Sequence, residues 1–410
     1  TKLESFSEEV IQECDILTVQ EMESGNKSQF NFEACQSTDN VAFIQYTSGS
    51  TGNPKGVVVT NKNLLANEAQ IKGAVQQTKE SVIVSWLPMY HDMGLIGNIL
   101  HNVYIGSKCV FFAPVHFLQK PLRWLRAVTK YRATLSGAPN FAFDLLNQID
   151  ITDEQLDLSS LEVAFNGSEK VRKDTLEAFY EKFKTVGLKR GAIYPCYGLA
   201  EATLMVSGKN KGEVFQTITT TEAQVKAGKL VAAEEGAIHF VSAGKVRAGI
   251  EVIIRDDNGN NCNGNEIGEI CIHGDNVTSS YWGGRSPESF FKQDGKLFLR
   301  TGDLGALANN EIYITGRKKE IIILNGVNYY PYDIEREVAQ AHHGLVVNGC
   351  AAFSVENGTK EELIIVTEIE RTYYREFNPN EVFDAINDRL GAQLGFLPDD
   401  IVVIKPMNLP

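Results

Sequence analysis

The stretch Tyr46-Thr47-Ser48-Gly49-Ser50-Thr51-Gly52-Asn53-Pro54-Lys55-Gly56 decides how the rest of the chain is read. Its glycines let backbone N–H groups approach an anion closely, Ser and Thr add hydroxyl donors, and Lys55 contributes a mobile positive charge. Such a loop suits a polyphosphate; a flexible polar linker is the plainer alternative. Before it, Val41-Ala42-Phe43-Ile44-Gln45 reads as a buried strand. After it, Asn61 caps a helix through Leu64, Leu65 and Glu68, so the pattern predicts strand, phosphate loop and helix. The loop is not a Walker motif, because the Gly-x-x-x-x-Gly-Lys-Ser/Thr spacing fails from both Gly49 and Gly52. Nucleotide binding therefore needs support from elsewhere in the chain.

Outward from the loop, 410 residues with 43% hydrophobic and 22% charged side chains describe an ordinary globular protein with a large core. Lys+Arg 39 against Asp+Glu 52 leaves a net charge of -13, which disfavours nonspecific nucleic-acid partners and anionic lipid. The seven cysteines lie far apart without a CxxC pair, as expected of reduced thiols in a cytoplasmic protein. No apolar run reaches the ~18 residues of an integral membrane segment. The start at Thr1-Lys2-Leu3-Glu4 shows neither a signal peptide nor an initiator methionine, so a fragment is expected.

Residues 1–40 are polar and carry no readable chemistry. From Val41, short apolar runs near 81–84, 108–111, 133–135 and 161–165 alternate with helical patterns at 121–131, 140–149 and 170–184. Alternation of this kind predicts α/β architecture, with parallel sheets covered by helices and ligands at the carboxyl ends of the strands. After about residue 205 the texture becomes β-rich. Beyond Arg317-Lys318-Lys319 it reads strand, helix, strand, strand, helix, a small α+β domain.

Three further constellations bear chemistry. Trp86-Leu87-Pro88-Met89-Tyr90-His91-Asp92-Met93-Gly94 puts a histidine on a loop after a strand, where it could orient a carboxylate or simply pack against Trp86 and Tyr90. His101, His116, His239 and His342-His343 have no metal-ligand spacing and read as packed histidines. Ile193 to Glu201 joins a strand to Tyr197, Gly198 and a carboxylate. Tyr197 can stack on a base and Glu201 can take Mg²⁺ through oxygen, the dull account being a core Tyr and a surface Glu. Arg300-Thr301-Gly302-Asp303 and Thr315-Gly316-Arg317 offer an acceptor and a guanidinium on tight turns, each weak alone.

Taken together, Thr47 to Gly56, Tyr197-Gly198-Leu199-Ala200-Glu201, Thr301-Gly302-Asp303 and Gly316-Arg317 resemble, in order, the nucleotide-site motifs of the adenylate-forming superfamily. Within it the chain looks most like the fatty acyl-AMP ligases, through Leu87 to Leu95, Phe117 to Trp124, Ser136 to Phe141, Asn166-Gly167-Ser168-Glu169 and Tyr194 to Tyr197. The resemblance runs from about residue 41 to the end. It implies a large N-terminal domain, 1–318, and a small mobile C-terminal domain, 319–410. Residues 206–243, including Gln216 to Glu235, would be the insertion that marks these ligases and restricts the motion needed for a CoA step.

The resemblance further implies ATP and Mg²⁺ as cofactors. The partners would be a fatty acid and an acyl carrier protein, or the carrier domain of a polyketide or peptide synthase. By the family pattern Tyr197 would stack on adenine with Gly198 beside it, Asn166, Gly167 and Ser168 would line the base pocket, and Glu201 would hold the metal. Asp303 and Arg317 would bind ribose. Thr47, Ser48, Gly49, Ser50, Thr51, Gly52 and Lys55 would hold pyrophosphate, with His91 beside the acyl carboxylate and Lys319 at the hinge. Family members begin upstream of the equivalent of Thr1, and their adenylation lysine lies in a Gly-Lys motif beyond a segment like Lys405 to Pro410, so no lysine is named for that role. A long-chain acyl-CoA synthetase and a non-catalytic nucleotide-binding module are the alternatives.

Overall fold

The computed structural model describes residues 37–47, 54–236, 238–324, 327–357, 360–406 and 408–409. Strands β1 (Val41–Thr47) and β2 (Lys55–Thr60) pair antiparallel as a two-stranded sheet. Helix α1 (Asn61–Val75) follows at once. The expected strand, loop and helix is thus a hairpin followed by a helix, since the β-branched run Val57-Val58-Val59 extends into a second strand. The helix cap is Thr60 rather than Asn61: the Thr60 side chain accepts from the Asn63 amide and the Asn63 side chain accepts from the Thr60 amide, a capping box. Nor is β1 buried, for Val41 and Tyr46 are exposed and β2 is its one strand partner among the described residues.

The main sheet begins as the alternating pattern predicts. Strands β3 (Val82–Ser85), β4 (Lys108–Phe111), β5 (Leu135–Ala138), β6 (Val163–Asn166) and β7 (Ile193–Gly198) run parallel in the order β4-β3-β5-β6-β7. A helical run, α2, links β3 to β4 through Asp92–Gly94, a π-helical segment Leu95–Leu100 and His101–Ile105. Helices α3 (Leu122–Tyr131), α4 (Asn140–Gln148) and α5 (Lys173–Phe183) cover the sheet. Helix α3 turns Trp124, Leu125 and Val128 inward, one apolar stripe of an amphipathic helix. Trp86 stacks on Phe117 at 3.9 Å between centroids, and Trp124 meets both rings edge-on. The buried Trp124 indole is satisfied by the Ser136 hydroxyl at 2.7 Å.

At β7 the sheet changes character. Strand β8 (Met205–Gly208) pairs antiparallel with β7, and the sheet continues through β10 (Ile238–Val246), β15 (Glu311–Arg317), β14 (Lys296–Ala308), β12 (Gly268–Gly274) and β11 (Ile250–Arg255). Strands β9 (Thr217–Thr220) and β13 (Phe290–Gln293) join β10 and β14, giving 13 strands among the described residues. The β-rich texture read after residue 205 is this antiparallel half. The span 206–243 takes in most of β8, all of β9, a one-turn helix, Glu222–Lys226, and the start of β10.

The last segment has its own core. Strands β16 (Ile322–Leu324) and β17 (Val327–Tyr329) form a hairpin before α6 (Pro331–Ala339). Strands β18 (Leu345–Asn357) and β19 (Lys360–Ile369), helix α7 (Pro379–Leu394) and β20 (Asp400–Ile404) complete it. Ile334, Val338, Leu363, Ile365, Ile386 and Leu390 are buried together. Two strands go beyond the sequence pattern: β17, and β20, formed by the β-branched run Ile401 to Ile404 pairing parallel with β19. Phe143, fully buried and edge-on to Phe179 at 4.9 Å, tests the main core. Phe143→Ala is expected to lower unfolding stability by about 3–5 kcal/mol in urea titration, a smaller loss showing that the aromatic layer collapses into the gap.

Candidate functional site

The carboxyl ends of β3, β6 and β7 face the β14–β15 pair across a polar cleft of about 810 Å³. Thr47, Lys55, His91, Glu201, Arg317 and Lys319 all line it. A second cavity of about 350 Å³ lies among Tyr197, Asp303, Tyr330 and Tyr332, and a third of about 90 Å³, almost wholly apolar, reaches inward past Met93, Leu135 and Met205. Ser168 and Gly198 line all three. Ser168 does so with a left-handed backbone, φ +73°, a conformation that strains a side-chain-bearing residue and is common at binding sites.

Each side chain is aimed by its local structure. The β1–β2 hairpin sets Thr47 opposite Lys55, and Lys55 Nζ lies 5.3 Å from the centroid of the Tyr281 ring. The loop itself, with Ser48, Gly49, Ser50, Thr51 and Gly52, lies outside the described residues. His91 caps α2. The Met93 amide N–H lies 3.2 Å from Nδ1 of His91, which makes the cap, and 2.6 Å from Asp92 Oδ1; Nδ1 is also 2.7 Å from that oxygen, and Nε2 faces the Ser168 hydroxyl at 3.4 Å. That carboxylate raises the His91 pKa, burial opposing it.

Glu201 sits on a one-turn helix, Ala200–Ala202, in the connection where the sheet turns from parallel to antiparallel. The turn is tight: a Cβ on Gly198 would stand 1.8 Å from the Leu204 carbonyl oxygen, so only glycine fits. Tyr281 donates its hydroxyl to Glu201 Oε1 at 2.9 Å. Burial pushes the Glu201 carboxyl above its ordinary range, with Asp303 adding to the rise and Tyr281 and Arg317 opposing it.

Asp303 follows Gly302, which takes φ +74°, and stands in register with Arg317 across β14 and β15. Its buried carboxylate accepts from Arg317 Nε at 2.9 Å and from the Tyr197 hydroxyl at 2.6 Å. Desolvation first, then the Asp303 charge, lifts Tyr197 well above the usual phenol range, so it stays a hydrogen-bond donor. Arg317 is raised chiefly by Asp303.

One residue is displaced from its expected place. Asn166 is fully buried, its Nδ2 donating to Asn140 Oδ1 at 3.3 Å, and it lines none of the three cavities, whereas Gly167 lines the apolar one and Ser168 all three. Asn166 is the last residue of β6 and faces the side opposite Phe165, which lines the apolar cavity, whereas Gly167 and Ser168 follow the strand end. Tyr281 is the side chain that sequence reasoning missed. No motif surrounds it in sequence; its bridge to Val57 and the bond from the Thr278 amide to the Glu201 carbonyl bring it to Glu201. Among the described residues no cluster of three or more His, Cys, Asp or Glu could hold a metal by itself. The five described cysteines are free, and no described helix is long and apolar enough to cross a membrane.

A polar cleft at a sheet's switch point that shares lining residues with an apolar cavity is where ligands bind in folds of this kind. Residues 3–282 match the family model described as AMP-binding enzyme, and the chain belongs to that family. Residues 319–410 match a model described as the AMP domain of Disco-interacting protein 2-like proteins. The chain is 38% identical to the medium-chain-fatty-acid–acyl-carrier-protein ligase TtuA of Teredinibacter turnerae, over 95% of this chain and 63% of that protein. A structure from work on fatty acyl-adenylate ligases of E. coli and L. pneumophila superposes with a TM-score of 0.82 at 31% identity, covering 91% of this chain and 67% of that one. A fatty acyl-adenylate ligase from L. pneumophila, in complex with acyl adenylate and pyrophosphate, gives a TM-score of 0.68 at 39% identity, covering 91% and 67%. The chain spans just under two thirds of the length of the relative TtuA.

The raised Glu201 carboxyl sets a pH test. Its folded pKa lies above the ordinary 4.5, so its contribution is fully present below that value and is lost as pH rises through the folded pKa. Glu201→Gln, which keeps an acceptor for Tyr281, is expected to melt higher than the parent at neutral pH, the gap closing as pH falls toward 4.5. A gap independent of pH in thermal melts would refute the assignment.

Proposed function

We propose that this chain forms the catalytic part of a fatty acyl-AMP ligase. A fatty acid carboxylate oxygen attacks the α-phosphorus of ATP, the α–β phosphoanhydride bond breaks, and pyrophosphate leaves with the electron pair. The thiolate of a carrier protein's phosphopantetheine then attacks the acyl carbon and AMP departs. The observation that carries this reading is the apolar cavity meeting the polar cleft at Asp92, Ser168 and Gly198, so that an aliphatic tail and a polyphosphate would meet head to head. The relatives named as fatty-acid ligases support it.

In this reading no nucleophilic side chain is needed, because the reaction depends on alignment and charge neutralisation. Tyr197 and Ser168 would border the adenine with Gly167 and Gly198 close behind, Asp303 and Arg317 would take the ribose, and Thr47 and Lys55 would anchor the pyrophosphate end. Asp303 has two donors already, and a carboxylate has lone pairs for more. His91 would sit beside the acid carboxylate, its charged form favoured by Asp92. Glu201 suits Mg²⁺: one oxygen accepts from Tyr281, and a single protein carboxylate is typical where phosphates and water complete the octahedron. When bound, the ion would neutralise phosphate charge. The large domain would be 1–318, the small one 319–410, with Lys319 as hinge, 206–243 as the insertion and a cytoplasmic setting for the reduced thiols.

Incubation with ATP, Mg²⁺ and a series of fatty acids is expected to give acyl-AMP, and holo carrier protein is expected to take up the acyl group. Efficient acyl-CoA formation on adding coenzyme A would overturn the ligase assignment. Glu201→Gln is expected to lower adenylate formation by roughly 100-fold, and Lys55→Ala to raise the KM for ATP, while both remain folded by circular dichroism.

A further inference from the structure

The cavity of about 350 Å³ beside the polar cleft has walls of two origins. Tyr197, Asp303 and Arg317 come from the main sheet, whereas Tyr330, Pro331 and Tyr332 open the last segment, which packs around a core of its own. A wall that belongs to a separately packed part stays in place only where contacts across the cavity hold it. Lys170 makes such a contact. It lies in the connection from β6 to α5, two residues beyond Ser168, and borders the same cavity. Its Nζ donates to Asp333 Oδ1 at 3.0 Å, in the first turn of α6, where the carboxylate also meets the positive end of the helix. The same ammonium lies 4.9 Å from the centroid of the Tyr332 ring, 5.7 Å from Phe240 and 5.9 Å from Tyr330. Only 22% of the Lys170 side chain is exposed, so the ion pair and the ring contacts are partly withdrawn from water and count for more than they would on an open surface. Tyr332 meets a second cation, the Arg172 guanidinium, at 5.3 Å. At the other end of the wall Tyr330 lies against Gly316: a Cβ there would stand 2.2 Å from the Tyr330 ring, so the ring closes directly onto the backbone beside Arg317.

We propose that Lys170 is a positioning residue for the nucleotide: paired with Asp333 and set near the Tyr332 ring, it holds the wall of Tyr330 and Tyr332 over the nucleoside end, opposite Tyr197 and Asp303. The inference rests on the proposed adenylation reading and adds to it the group that closes the nucleotide compartment. Lys170, Tyr330 and Tyr332 line neither the apolar cavity nor the polar cleft, so removing the ammonium takes no lining group from the acid's compartment. What it loosens is the wall over the nucleoside.

The test measures pyrophosphate release by the full-length protein with ATP and decanoate varied in turn. Lys170→Met, which keeps the aliphatic stem and removes the charge, is expected to raise the KM for ATP by roughly tenfold and to leave the KM for decanoate within about twofold of the parent's. Lys170→Arg, which can pair with Asp333 and stack on Tyr332, is expected to keep the parent's KM for ATP. Asp333→Asn added to Lys170→Met is expected to cost nothing further, because the two side chains act through one contact. An unchanged KM for ATP in Lys170→Met, an equal rise in the KM for decanoate, a loss in Lys170→Arg as large as in Lys170→Met, or a further loss in the double variant overturns the proposal. If the parent releases no pyrophosphate with any fatty acid, the adenylation reading falls, and calorimetric titration with AMP decides. Roughly tenfold weaker binding of AMP by Lys170→Met than by the parent and Lys170→Arg upholds this inference, whereas equal affinity, or no binding by the parent, overturns it.

Discussion

The carboxylate of Asp303 is the fixed point from which the site is built. It is buried between strands, and a buried charge persists only where donors surround it. Here the donors come from two directions, Arg317 on the neighbouring strand β15 and Tyr197 at the end of β7. The first belongs to the antiparallel half of the sheet and the second to the parallel half, so one side chain ties together the parts that the cleft separates. The geometry follows from register: Asp303 and Arg317 are direct partners, and Gly302 supplies the left-handed turn that aims the carboxylate inward.

Glu201 depends on the same junction in a different way. The strand β7 ends on Gly198 because the chain must fold back against the Leu204 carbonyl, and the short turn that results carries the carboxylate to the cleft. Parallel strands deliver His91 and Ser168 from their carboxyl ends, the return into β8 delivers Glu201, and the β14–β15 pair delivers Asp303 and Arg317. No single element could hold all of these groups within one cleft. The change of sheet direction makes their convergence possible.

Much of this was legible in residues. The parallel layer announced itself through apolar runs alternating with helical periods, and the Tyr197 to Glu201 and Thr301 to Asp303 clusters declared chemistry through composition. What escaped was set by long-range geometry. Val57 to Val59 could have continued either a loop or a strand, and only pairing with β1 settles it. Asn166 and Ser168 look equally available in sequence, yet the first ends β6 and is buried against Asn140, while the second, past the strand end, borders three cavities. Tyr281 reaches Glu201 from 80 residues away, with nothing local to mark it. His101 carried no metal spacing and read as a packed histidine, and its burial against Glu68 agrees.

Ser168 has a consequence of another kind. Because this single strained residue forms part of the wall of all three cavities, the free energy of occupying one compartment includes the state of the residue it shares with the others. Thermodynamic reciprocity requires that any influence passed through Ser168 from one occupant to another be equal in both directions.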